Sequence, residues 1–142
     1  MKPIFLSVTV VALLTACATT ATLSDDQRLE IHRAHAGAPV HSFHNLGTLY
    51  SWTPLGDSAL AVWTRRNQAY LLELGGDCPG LEYGHAISFS GQGGTVFAGM
   101  DSVVVLDRGP TNFPCRIQKI LPLDVKALKK AEDAARDNVE GK

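Results

Sequence analysis

Ala59-Leu60-Ala61-Val62-Trp63-Thr64-Arg65-Arg66-Asn67-Gln68-Ala69-Tyr70-Leu71-Leu72-Glu73-Leu74 is the stretch whose reading decides the fold. Leu60 and Val62 alternate with Ala61 and Trp63. Tyr70, Leu72 and Leu74 share one face of the following run, and Glu73 lies on the other. That period of two marks two strands, Ala59 to Thr64 and Ala69 to Leu74. Arg65-Arg66-Asn67-Gln68 is expected as a four-residue hairpin loop.

Outward from this hairpin the chain stays short and extended. Val40 to Phe43 and Leu46 to Tyr50 are expected as strands upstream. Downstream, Ala86 to Ser90 and Thr95 to Ala98 are expected as a second hairpin around Gly91-Gln92-Gly93-Gly94. Val103-Val104-Val105-Leu106 is nearly continuously apolar, which suits a central strand over Ser102 to Leu106. A loop with two prolines, Arg108 to Pro114, precedes a last strand from Arg116 to Leu121.

A helix is expected at each end. Ser24 with Gln27 has capping-box spacing, Asp25 and Asp26 suit the positive helix end, and Gly37 is the natural stop. Asp124 caps the closing helix, where Val125, Leu128, Ala131, Ala135 and Val139 recur at helical spacing. Lys129–Asp133 and Glu132–Arg136 are expected as i,i+4 pairs on its wetter side. The sum is a mainly β (α+β) domain over residues 24–142. About seven strands form an antiparallel meander, either a partly closed barrel or a curled sheet, with an N-terminal and a C-terminal helix.

The chain begins with a positive end, Met1 and Lys2, then a mostly apolar run from Ile4 to Leu14, then Leu14-Thr15-Ala16-Cys17. This order is that of a secretory signal, expected over residues 1–16, and the run is too short to span a bilayer. The tetrapeptide resembles a bacterial lipobox, which implies lipidation of Cys17; a plain small-residue cleavage site is the alternative. Residues 17–23 then form the lipidated cysteine and a tether reaching at most about 20 Å. Ala18 in place of Asp favours the outer membrane, with the domain facing the periplasm. The lipid bilayer is therefore one expected partner, and an envelope protein or peptidoglycan another.

Thirteen basic side chains against 14 acidic give a net charge of −1, without a basic run, so nucleic acid is not an expected partner. Three cysteines are present. With Cys17 assigned to the anchor, Cys78 and Cys115 remain in an oxidising compartment and read as a disulfide. A catalytic or metal-binding thiol pair is the rival reading, and neither cysteine sits in a C-x-x-C motif.

Chemistry-bearing residues are sparse. Four of the five histidines, His32, His35, His41 and His44, fall close together, and imidazole is the commonest metal ligand. Zinc or copper would suit them, with His32 and His35 on one helix face as core ligands. A spacing of three on a strand would put His41 and His44 on opposite faces, so a structural or solvated role is the simpler reading. Trp52, Trp63, Tyr50 and Tyr70 could line a ligand groove, and Arg65 and Arg66 could contact a partner from a loop tip; ordinary core and turn roles are the alternative. Gly91-Gln92-Gly93-Gly94 lacks the strand-to-helix context and the Lys of a phosphate-binding loop. There is no G-x-S-x-G elbow and no H-E-x-x-H, and His85 with Ser88 makes no distinctive triad. No catalytic residue, no enzymatic activity and no cofactor are expected.

Several segments converge on one family. They are Arg33-Ala34-His35-Ala36-Gly37, Trp52-Thr53-Pro54-Leu55-Gly56-Asp57, Ala61-Val62-Trp63-Thr64-Arg65, Cys78-Pro79, Pro114-Cys115-Arg116-Ile117 and Pro122-Leu123-Asp124-Val125-Lys126. From about Ser24 to Ala135 the chain resembles a family of small proteobacterial lipoproteins catalogued as a domain of unknown function. That resemblance implies the lipid anchor and the Cys78–Cys115 pairing, and it carries no established activity. The expected role is a membrane-anchored envelope binding or scaffolding module. An inhibitor of a lysozyme-like hydrolase, or a zinc- or copper-handling protein using His32–His44, are the alternatives.

Overall fold

The computed structural model describes residues 22–106 and 112–141. The expected signal segment, Cys17 and most of the expected tether lie outside the described residues, as does part of the loop expected over 108–114.

The first helix, α1 (Asp25–Ala34), starts where the capping box puts it. Gln27 N–H donates to Ser24 Oγ at 3.3 Å, and Ser24 N–H donates to Gln27 Oε1 at 3.0 Å. It ends one turn before Gly37, whose N–H instead reaches Pro122 O at 2.8 Å. At the other end of the chain, Asp124 caps α2 (Val125–Glu140) by accepting from Ala127 N–H at 3.1 Å. Lys129 and Asp133 pair at 3.1 Å as expected. Glu132 does not pair with Arg136; it turns inward toward α1, and Arg136 lies 4.0 Å from Asp133.

Among the described residues eight strands lie between the helices: β1 (Ser42–His44), β2 (Ser51–Pro54), β3 (Ala59–Arg65), β4 (Gln68–Leu74), β5 (Ala86–Phe89), β6 (Thr95–Phe97), β7 (Ser102–Leu106) and β8 (Pro114–Leu123). Six form one antiparallel sheet in the order β2-β3-β4-β8-β7-β5, curled into a half-barrel, and β1 pairs with β6 in a separate two-stranded ribbon. The mainly β class with a helix at each end is therefore the observed one. Strand order follows the chain only through β2-β3-β4.

Three local expectations need correction. Leu46 to Tyr50 is a connecting segment, and the strand begins at Ser51. Arg65 pairs with Gln68, so the turn is only Arg66-Asn67, with a register slip at Thr64. The segments expected to form a second hairpin do not pair with each other: β5 pairs with β7, and β6 pairs with β1. The glycines explain this outcome. Gly93 and Gly94 have φ of 75° and 74°, a left-handed backbone that turns the chain away from β5. Asn45 N–H then donates to Gly94 O at 2.8 Å, fixing β6 beside β1.

Alternation along β3 and β4 sorts the core into two layers. Leu60, Val62, Tyr70, Leu72 and Leu74 face the inside of the half-barrel with Phe43, Val96, Val103, Ile117, Ile120 and the two half-cystines. Ala59, Ala61, Ala69 and Leu71 face the helices with Leu29 of α1 and Leu128 of α2. Small alanines on that face let the helices sit close to the sheet. Glu73, on the same face, accepts from Arg33 Nε at 3.0 Å and so ties α1 to β4.

A single extra residue sets the register of β8. Glu73 pairs with Lys119 and Leu74 with Ile117, which leaves Gln118 unpaired. Cys115, Ile117 and Ile120 thereby all face inward, although the spacing from Ile117 to Ile120 is three. Leu121 and Leu123 face the helices. A one-residue bulge inverts the inside–outside alternation at that point.

Candidate functional site

Among the described residues the two end strands of the half-barrel, β2 and β5, are each paired on one side only. Between these edges lies a cleft of about 940 Å³, bordered by the connection from Asn45 to Tyr50 and by the turn leading into β6. Its core-facing side is formed by Trp52, Ile87, Phe89 and Val96, and its rim carries Asn45, Thr48, Ser51 and Ser88. Among the described residues that line it, none is Asp, Glu, Lys or Arg.

Gly84 holds the seam at this width. A Cβ there would meet Val105 Cγ1 at 2.5 Å and Trp52 at 3.7 Å. The missing side chain lets the segment before β5 approach both Trp52 on the opposite edge and the strand beside it. Behind the cleft, Phe43 packs edge-on to Phe89, with ring centroids 5.5 Å apart, and stacks on Tyr70 at 5.0 Å. Asp101 ties the region together: its carboxylate accepts from Phe97 N–H at 2.8 Å and from Ser90 Oγ at 3.3 Å.

Of the residues expected at a ligand or partner surface, two, Trp52 and Tyr50, line this cleft. Trp52 faces it; Trp63 packs on the helix side of the sheet. Their positions in β2 and β3 differ by one register step, Trp52 opposite Val62 and Ser51 opposite Trp63, so the two indoles point to opposite faces. Tyr70 and Arg65 line a separate, smaller cleft of about 410 Å³ with His44. Tyr70 is also a core residue, its hydroxyl accepting from Gln68 Nε2 at 3.0 Å. A single groove lined by all four aromatics is not formed.

The four histidines do not converge either. Among the described residues no three His, Cys, Asp or Glu side chains are grouped as a metal site. His32 and His35 each place Nδ1 on a carbonyl oxygen one helical turn back, Arg28 O at 2.7 Å and Ile31 O at 2.8 Å. That spends one ring nitrogen of each as a donor. His44 lies beside Thr95 Oγ1 at 3.2 Å in the ribbon, and His41 is exposed where β1 begins. The chain between the pairs runs to β8 through Val40 N–H to Ile120 O, 2.8 Å, which carries β1 away from α1.

His32 is the one buried polar side chain of the described core, and its Nε2 has no hydrogen-bond partner among the described residues. Glu132 Oε1 of α2 stands 3.8 Å from that nitrogen. Burial lowers the imidazole pKa below its ordinary 6.5; the Arg28 carbonyl and the Glu132 carboxylate pull the other way.

Cys78 and Cys115 are joined, with 5.6 Å between their Cα atoms. The bond links the segment after β4 to the start of β8 and encloses β5, β6 and β7. No hydrogen bond joins His85 to Ser88, both on the β5 side of the cleft.

Sequence reasoning missed the cleft because it depends on which strands end up as edges. A signal was nevertheless present. No Asp, Glu, Lys or Arg occurs from Ala34 to Gly56, nor from Tyr83 to Met100, and these two stretches supply all the described residues lining the cleft.

The chain belongs to a family of unknown function, DUF6491, whose model matches residues 1–139. No curated protein and no solved structure matches it.

Proposed function

We propose that this chain is a lipid-anchored envelope protein that binds a ligand in the cleft between β2 and β5 and performs no catalysis. Cys17 would carry the lipid, and the short tether would hold the domain on the periplasmic side, close to the outer membrane. The observation that carries the reading is the uncharged opening between two unpaired sheet edges, since ligand sites are concave and mostly apolar with a few polar groups. Among the described residues no helix is long and apolar enough to cross a membrane.

The test has two parts. Intact-mass measurement of the exported chain and of Cys17→Ser reads acylation directly; an unmodified wild-type cysteine refutes the anchor. A photoreactive residue at Ser88 is expected to crosslink an envelope component in intact cells. The same residue at Lys130, on the exposed face of α2, is expected to give no such product. Equal labelling from both positions refutes the cleft as the binding surface.

A further inference from the structure

Resting on that reading of the cleft, we infer that its ligand is an acyl chain of a neutral lipid drawn from the adjoining bilayer. Three observations converge. A hydrocarbon chain brings no charge, and an unpaired charge beside it would cost heavily; the described lining of the cleft has no Asp, Glu, Lys or Arg, although 19% of the whole chain is charged. The side chains on its core-facing side, Trp52, Ile87 and Phe89, are the apolar surface such a chain needs, and the rim hydroxyls suit an uncharged ester or glycerol group. The mouth also carries exposed apolar side chains, Leu46 at 84% and Tyr50 at 58%, which suit the boundary between headgroups and water. The tether is short: five chain steps lead from Cys17 to Thr22, at most about 17 Å, which keeps the domain beside the bilayer.

The two tryptophans make a test with its own control. In Trp63→Phe the remaining indole lines the cleft; in Trp52→Phe it lies on the helix side of the sheet. The first arm places the acylated full chain in vesicles of phosphatidylcholine brominated on its acyl chains. The second gives the unanchored Cys17→Ser chain a brominated monoacylglycerol below its micellar concentration. In both arms, emission from Trp52 should fall at least twofold and emission from Trp63 should not change. Ser88→Lys, added to Trp63→Phe, should abolish the quenching while leaving thermal unfolding cooperative.

Quenching in the second arm alone means that the cleft takes an acyl chain but not from the bilayer, which leaves the reading of the cleft standing and overturns the bilayer as source. Quenching by vesicles alone means that the rim merely dips into a surface, and overturns the proposal. No quenching in either arm, or equal quenching of both indoles, also overturns it. So does a shift of Trp52 emission by chitotetraose with none by the monoacylglycerol, which would mark a glycan site.

Discussion

Breaking the Cys78–Cys115 bond should lower stability by an amount set by chain length. The cysteines are 37 residues apart, so reduction restores to the unfolded chain a conformational freedom worth about 4 kcal/mol on the loop-closure model. For a domain of this size the entropy of unfolding is about 0.25 kcal/mol/K, which turns that loss into a fall of roughly 15 °C in Tm. Two perturbations separate crosslink from packing. A reductant leaves both buried sulfurs in place, whereas Cys78→Ala with Cys115→Ala also removes them. Urea titration with and without reductant should show a lower midpoint and a steeper slope, because the reduced unfolded chain exposes more surface. The double alanine variant should lose up to about 2 kcal/mol more from lost packing. A change under 1 kcal/mol on reduction, with the slope unaltered, would refute the reasoning. It would mean that the segment carrying β5, β6 and β7 is already confined in the unfolded chain. Because β5 is one wall of the cleft, binding of the brominated probe should be lost along the same titration curve as folding.

Other expectations concern single residues. Burial makes folded His32 a weaker base than unfolded histidine, so the unfolded chain takes up the proton first; stability from this site is complete above about pH 6.5 and is lost on acidification. Urea midpoints between pH 7.5 and pH 5 should therefore fall less in His32→Leu than in wild type, and equal falls would exclude the site. Gly84→Ala drives a Cβ into Val105 and should cost about 1–3 kcal/mol by thermal unfolding, whereas a neutral result would mean that the seam yields easily. Deleting Gln118 should abolish cooperative unfolding, while Gln118→Ala should stay within about 0.5 kcal/mol of wild type. Leu46→Lys, at a side chain 84% exposed, should leave Tm unchanged and weaken quenching of Trp52 severalfold.

Legibility of the sequence tracked the range over which each feature is decided. The capping box at Ser24 and Gln27, the cap at Asp124 and the alternation within Ala59–Trp63 and Ala69–Leu74 are settled within a few residues, and all are found where the pattern puts them. The pairing of β5 with β7 is settled by a competition between strands. Val103 and Val105 offer a buried partner, and two positive-φ glycines carry β6 elsewhere. Nothing local to Ala86–Phe89 reports that outcome. Ile117 and Ile120 fail differently, since their spacing of three fits neither face of a regular strand until Gln118 is known to bulge. The histidines mislead because nearness along the chain is not nearness in space once Gly37–Val40 docks on β8.

The absence of charge around the cleft is not explained by folding. Core positions exclude charge because burial is costly, but Leu46, Thr48, Tyr50, Ser51 and Ala86 are exposed and line the opening. A lysine or glutamate at any of them would be hydrated and would leave the two buried clusters untouched. Edge strands are moreover where charge is usually useful, because it discourages pairing with another chain. Here β2 and β5 have only their shortness, and Pro54 at the end of β2, in that role. Two segments that are distant in sequence both omit charge and meet at one opening. A requirement acting at the opening itself accounts for this pattern, and an apolar ligand chain entering between the edges supplies one.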